Sequence, residues 1–107
     1  LGLLEAVDEA LVLSKADPED IDGDGISGRA NWVWDPVAAK RTLGRFGWKA
    51  NVASLHQQVA SAAFGDMGIT TSIFPDQNCP PAQKECSSAP GGGVPELDDV
   101  RLAKLVL

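Results

Sequence analysis

The chain has 107 residues, room for one small domain and not two. Hydrophobic residues make up 44% of it, enough for a core, and 9 basic against 15 acidic residues give a net charge of −6. That balance argues against nucleic acid, which asks for a cationic face, and no stretch approaches the roughly 20 apolar residues of a membrane span. No initiator Met or signal-peptide pattern supplies an address. Leu1-Gly2-Leu3-Leu4 at the start and Leu105-Val106-Leu107 at the end break off in mid-apolar pattern. They are expected to mark a piece of a longer protein, since termini are usually polar and frayed. The alternative is a complete small domain with its ends tucked in.

Leu3 to Ala16 reads as one helix. Leu4, Val7, Leu11 and Ser14 keep helical spacing, and Leu3, Ala10 and Leu13 widen the apolar face. Pro18 then stops it. An acidic, glycine-punctuated loop follows, spanning residues 17–31. Within it, Asp20-Ile21-Asp22-Gly23-Asp24-Gly25-Ile26 places oxygen donors at positions 1, 3 and 5 and glycine at position 6. This is the front half of a calcium loop, because hard Ca²⁺ collects carboxylate and carbonyl oxygens around a tight turn. The expected ligands are Asp20, Asp22, Asp24, the carbonyl of Ile26 and Asn31, which stands where a bidentate Glu would normally close the shell. Asp17 or Asp35 could complete it from outside the register. The competing reading is a solvated run of Asx turns, which Asp and Gly favour without any metal.

Asn31 to Asp35 is a short extended run ended by Pro36, so a short β-hairpin around residues 29–48 is the candidate strand element. Of its two tryptophans, Trp32 and Trp34, one is expected in the core and the other at an interface. Asn51 is placed to cap a helix over 52–64, with Gly65 as its stop. Its buried stripe is Val52, Leu55, Val59 and Ala62, and the small Ala53, Ala60, Ser61 and Ala63 allow close approach by another element. His56, on the flank of that stripe, is expected to face solvent or to be hydrogen-bonded. Residues 70–95 are loop, rich in Pro and Gly. A last helix starts near Pro95 or Asp98 and still runs at Leu107. The fold class is therefore mainly α with long loops, an irregular small domain or fragment.

Cys79 and Cys86 form no C-x-x-C-H haem-attachment motif. A disulfide closing the loop 79–86 is the expected pairing in an exported protein, and two free thiols are the alternative. Charge is segregated along the chain. Asp17, Glu19, Asp20, Asp22 and Asp24 face a single Lys15, whereas Pro36 to Gly65 has Lys40, Arg41, Arg45 and Lys49 and no acid. No Ser/His/Asp set, phosphate loop or pair of carboxylates in an apolar setting appears, so no catalytic residue is named.

Several stretches, in order, carry a resemblance: Leu1-Gly2-Leu3-Leu4-Glu5-Ala6, Asp22-Gly23-Asp24-Gly25-Ile26-Ser27-Gly28-Arg29, Gly44-Arg45-Phe46-Gly47-Trp48-Lys49-Ala50, Ser54-Leu55, Gln58-Val59-Ala60 and Gly65-Asp66-Met67-Gly68-Ile69-Thr70. Together they resemble the di-haem c-type oxidoreductase family, peroxidase-like proteins also labelled thiol oxidoreductases and similar to bacterial di-haem cytochrome c peroxidases. The resemblance spans almost the whole chain and implies one segment, residues 1–107, lying between two haem motifs that this chain lacks. It implies electron transfer in a periplasmic or cell-surface protein, haem c held by the parent, flanking haem domains as neighbours and an electron-donor protein as a partner. An enzyme is implied in the parent and not in this chain alone.

In that context Met67, the single methionine, is a candidate axial ligand, and a core gap-filler otherwise. Arg45, Lys49 and Trp48 are candidates for haem contact, since a guanidinium fork suits propionates. Against this stands an ordinary cationic, partly buried turn with Trp48 in the core. The second function to weigh is a non-enzymatic, calcium-stabilised interaction module. A thiol–disulfide enzyme would need Cys79 and Cys86 at a spacing unlike C-x-x-C.

Overall fold

The run expected as one helix is cut in two. In the structure, a computed structural model that describes residues 2–106, α1 covers Gly2–Glu5 and α2 covers Glu9–Leu13. Two side chains make the break. Asp8 accepts the Ala10 N–H at 2.8 Å, so it caps a new helix instead of continuing the old one. Arg45 donates to the carbonyls of Leu4 and Val7, which a continuous helix would have bonded internally. Leu1 and Leu107, and with them the expectation that the last helix runs through Leu107, lie outside the described residues.

The acidic segment folds back on itself. Asp17 and Gly28 form an isolated antiparallel bridge, with the Asp17 N–H on the Gly28 carbonyl at 2.9 Å. The expected hairpin follows as β1 (Trp32–Asp35) and β2 (Lys40–Leu43), paired Trp32 to Leu43 through Asp35 to Lys40. Asp35 makes the turn. Its buried carboxylate accepts the N–H groups of Val37 and Ala38 at 2.8 and 3.1 Å, and Pro36 cannot extend the ladder. Neither tryptophan is core: Trp32 is 44% exposed and Trp34 59%. Residues two apart on a strand share a face, so the pair faces outward together. Leu43 and Phe46 supply the buried apolar contacts here instead.

The second helix is also displaced from its expected bounds. α3 covers Leu55–Met67, because Val52 is drawn into a bridge with Phe46 and cannot be helical. Asn51 therefore caps nothing in α3. The Leu55 N–H is met from a distance, by the Glu5 carboxylate at 3.0 Å. At the other end Gly65 stays helical, and Gly68, at φ +68°, is the residue that turns the chain. The buried face centres on the small residues: Ala60 and Ala63 are 0% and 2% exposed, with Leu55 beside them, while Val59 and Ala62 are half-buried.

After α3 the chain is loop, broken by one 3₁₀ turn at Cys86–Ser88, until α4 (Asp99–Val106). Asp98 caps α4 by accepting the Arg101 N–H at 2.8 Å, and Leu102 is its fully buried residue. Helix accounts for 31% of the chain, so the expected predominance of helix is corrected to short helices plus a hairpin, joined by long loops. The loops stay irregular because side chains of Asp8, Asp17, Asp35 and Glu96 capture backbone N–H groups that regular structure would otherwise use. The chain divides into two compact units, Leu1–Leu55 and His56–Leu107. In the first, Leu43, Phe46, Ala53 and Leu55 are buried; in the second, Ala60, Ala63, Thr70, Thr71 and Leu102.

Candidate functional site

The cationic turn is built by backbone contacts that admit few alternatives. The Arg45 and Phe46 N–H groups both donate to the Val52 carbonyl, at 2.9 and 3.0 Å, and the Val52 N–H returns to Phe46 at 3.0 Å. Between these ties, Gly47, Lys49 and Ala50 all have left-handed φ, from +50° to +75°. The Asn31 amide donates to the carbonyls of Lys49 and Ala50 at 3.4 and 3.1 Å, which fastens the turn beside the start of β1. Gly44 is required for this approach: a Cβ there would stand 1.9 Å from the Ala50 carbonyl oxygen. Phe46 points into the core at 3% exposure, and Trp48 stands out at 85%.

The named candidates divide on this frame. Trp48 and Lys49 are exposed on the turn and free to meet another surface. Arg45 is half-buried, and one guanidinium nitrogen is committed to the Leu4 and Val7 carbonyls, so its first role is to close the end of α1. Met67 is the last residue of α3 in the second unit, and it is 64% exposed. A methionine so exposed is no core filler; its thioether is presented outward.

The acidic loop gathers a set of carboxylates that differs from the expected one. Asp17, Asp20 and Asp22 each bring an oxygen within 4.8 Å of the others. Asp24 lies outside this group, and its carboxylate accepts the Ile26 N–H at 2.7 Å. The Ile26 carbonyl accepts the Gly28 N–H at 3.2 Å, and the Asn31 side-chain N–H groups donate to the cationic turn. Asp17 joins because its bridge to Gly28 brings the two ends of the loop together, a closure that a linear calcium-loop register does not describe. Its oxygens also accept the Ile21 and Asp22 N–H groups at 2.9 and 3.2 Å.

The remaining polar candidates are structural. Cys79 and Cys86 are joined in a disulfide with Cα atoms 5.6 Å apart, so neither thiol is available for haem attachment. His56 is half-buried, and its Nε2 is buried without a partner, as are Thr42 Oγ1 and Gln58 Oε1 among the described residues. Sequence reasoning passed over Glu5, which caps α3, and the Thr70–Glu96 pairing in the second unit. Their partners are 50 and 26 residues away, and no local pattern announces them.

A family model described as "Di-haem oxidoreductase, putative peroxidase" matches residues 1–85. The chain belongs to this di-haem oxidoreductase family. Membership sets the general kind of function, haem-dependent oxidation and reduction. The match takes in the acidic loop, the cationic turn and Met67, and it ends one residue before Cys86. No curated protein and no solved structure matched the chain. Among the described residues no helix is long and apolar enough to cross a membrane.

Proposed function

We propose that this di-haem oxidoreductase chain is a haem-contacting segment of a peroxidase-like electron-transfer protein, periplasmic or on the cell surface, and that it presents residues to haem without attaching it. The observation that carries this reading is the family match in a chain whose two cysteines are bonded to each other. Thioether attachment needs two free thiols and a histidine in C-x-x-C-H. Contact needs none of these. Met67 offers an exposed thioether, a recurrent axial donor to c-type haem, and Lys49 offers a charge to an anionic propionate. Trp48 offers an exposed ring, and Arg45 holds the turn that carries both residues to α1. When bound, haem supplies the one-electron chemistry that no side chain here provides.

The outward-facing Trp32, Trp34 and Trp48 make the first unit's surface unusually aromatic, which suits packing against the parent's flanking haem domains or an electron-donor protein. In the same reading, Asp17, Asp20 and Asp22 bind Ca²⁺ and pin the acidic loop. That cluster also favours the second reading, a calcium-stabilised module with no chemistry of its own. Haem divides the two.

Co-expressed with a cytochrome c maturation system, the 107-residue chain is expected to carry no haem through denaturation. Covalently retained haem would overturn the proposal. In the haem-bearing parent, Met67→Ala is expected to lower one haem's potential and abolish its sulfur–iron charge-transfer band. An unchanged spectrum would remove Met67 from the contact set.

A further inference from the structure

In the second unit one carboxylate collects donors from three separate stretches of loop. Glu96 Oε1 accepts the Gly92 N–H at 2.9 Å. Its Oε2 accepts the Thr70 N–H at 3.0 Å, the Thr70 hydroxyl at 3.3 Å and the Gln77 side-chain amide at 3.4 Å. Four donors on two oxygens is an arrangement for an anion: a carboxylate only accepts, whereas a carboxylic acid gives up part of that acceptor capacity to its own proton.

The two sides of the site are held differently. Glu96 keeps its place through its own N–H, which donates to Thr70 Oγ1 at 3.0 Å, and through the Leu97 N–H on the Thr70 carbonyl at 3.0 Å. Neither bond depends on the charge of the carboxylate. Thr70 is 3% exposed, so this side is anchored. The strap Pro90–Val94 has no such second tie: among the described residues, its backbone makes no hydrogen bond except Gly92 to Glu96. The strap also lies close against the acid, since a Cβ on Gly92 would stand 3.4 Å from Glu96 Oε1.

We propose that Glu96 is an acid-release clasp: the ionised carboxylate holds the glycine strap and Gln77 to the Thr70 anchor, and its protonation frees the strap while the anchor persists. The same donors hold the Glu96 carboxyl below its ordinary range, the Gly92 N–H most, then the Thr70 N–H, with the Gln77 and Thr70 side chains adding less and burial opposing. A lowered value in the folded chain means that the clasp is fully formed above the unfolded-state value, about 4.3, and lost as pH falls through the folded one. The other titratable groups of these stretches are Asp76, next to Gln77, Lys84 and Glu85 in the disulfide loop, and Asp98 and Asp99 at the start of α4. Asp98 is paired with Arg101, and Asp99 accepts the Ser72 hydroxyl. No cation is bonded to Glu96 among the described residues, so the backbone donors carry the clasp.

Amide NMR on the whole chain tests this. In a titration, the Gly92 and Thr70 amide shifts should move together through one midpoint below about 4.3. At neutral pH, Glu96→Gln should speed Gly92 hydrogen exchange about tenfold or more, the effect of losing a charge-assisted bond, while Leu97 exchange changes by less than about twofold. Separate midpoints for Gly92 and Thr70, or unchanged Gly92 exchange in Glu96→Gln, would overturn the clasp. So would equal acceleration at Gly92 and Leu97, which means general unfolding.

Discussion

At the scale of single residues, two positions carry more than their chemical type suggests. Asp17 stands at the mouth of the acidic loop, and backbone pairing with Gly28 folds it onto Asp20 and Asp22. If that trio binds calcium, the ligand set is the one the closed loop makes. Calorimetry on chelator-stripped protein should then show Ca²⁺ binding that falls about tenfold or more in Asp17→Asn, Asp20→Asn or Asp22→Asn, since each removes a charged ligand. Asp24→Asn should weaken it far less. Absence of heat, or equal loss in Asp24→Asn, would reject the site. Gly44 is the second position. Its alanine variant drives a methyl group into the Ala50 carbonyl, a backbone atom held in place by Asn31. Gly44→Ala should cost about 3 kcal/mol or more in urea unfolding, the upper end of overpacking costs. Gly65→Ala meets nothing within 4 Å and should be neutral or stabilising by contrast.

At the scale of elements, what was legible followed local chemistry. The hairpin could be read because an extended Trp-Val-Trp-Asp run ends at Pro36, and α4 because Asp98 sits before an apolar repeat. The disulfide was expected and is present. It closes a short loop otherwise held by few bonds, so its reduction and alkylation should lower stability by about 2–3 kcal/mol, measured by denaturant midpoint. An unchanged midpoint would show that the loop is tied by other contacts. Boundaries were misread where a distant group intervenes. The first helix breaks where Arg45 takes its carbonyls, 41 and 38 residues away in sequence. The third starts late because Val52 is claimed by Phe46, and it runs past Gly65 because a glycine ends a helix only when the chain needs the left-handed turn, here at Gly68.

At the scale of the whole molecule, family membership and the carriers of charge were both in the sequence. The ordered stretches from the opening apolar turn to Gly65-Asp66-Met67-Gly68 are a matter of residue identity, and the match over residues 1–85 rests on identity too. So did the absence of any haem-attachment motif, which needs only a search for C-x-x-C-H. Tertiary structure decided which of these residues are available. All three tryptophans are exposed, although one of Trp32 and Trp34 is expected in the core; their places are set by strand register and by the left-handed turn at Gly47–Ala50. Arg45 proves to be a tie to α1, and Asp17 replaces Asp24 in the acidic trio. Glu96 becomes the centre of a loop network. Residue type and local spacing determine what chemistry a side chain can offer. Hydrogen bonds across tens of residues determine which groups already have partners, and only the folded chain brings those together.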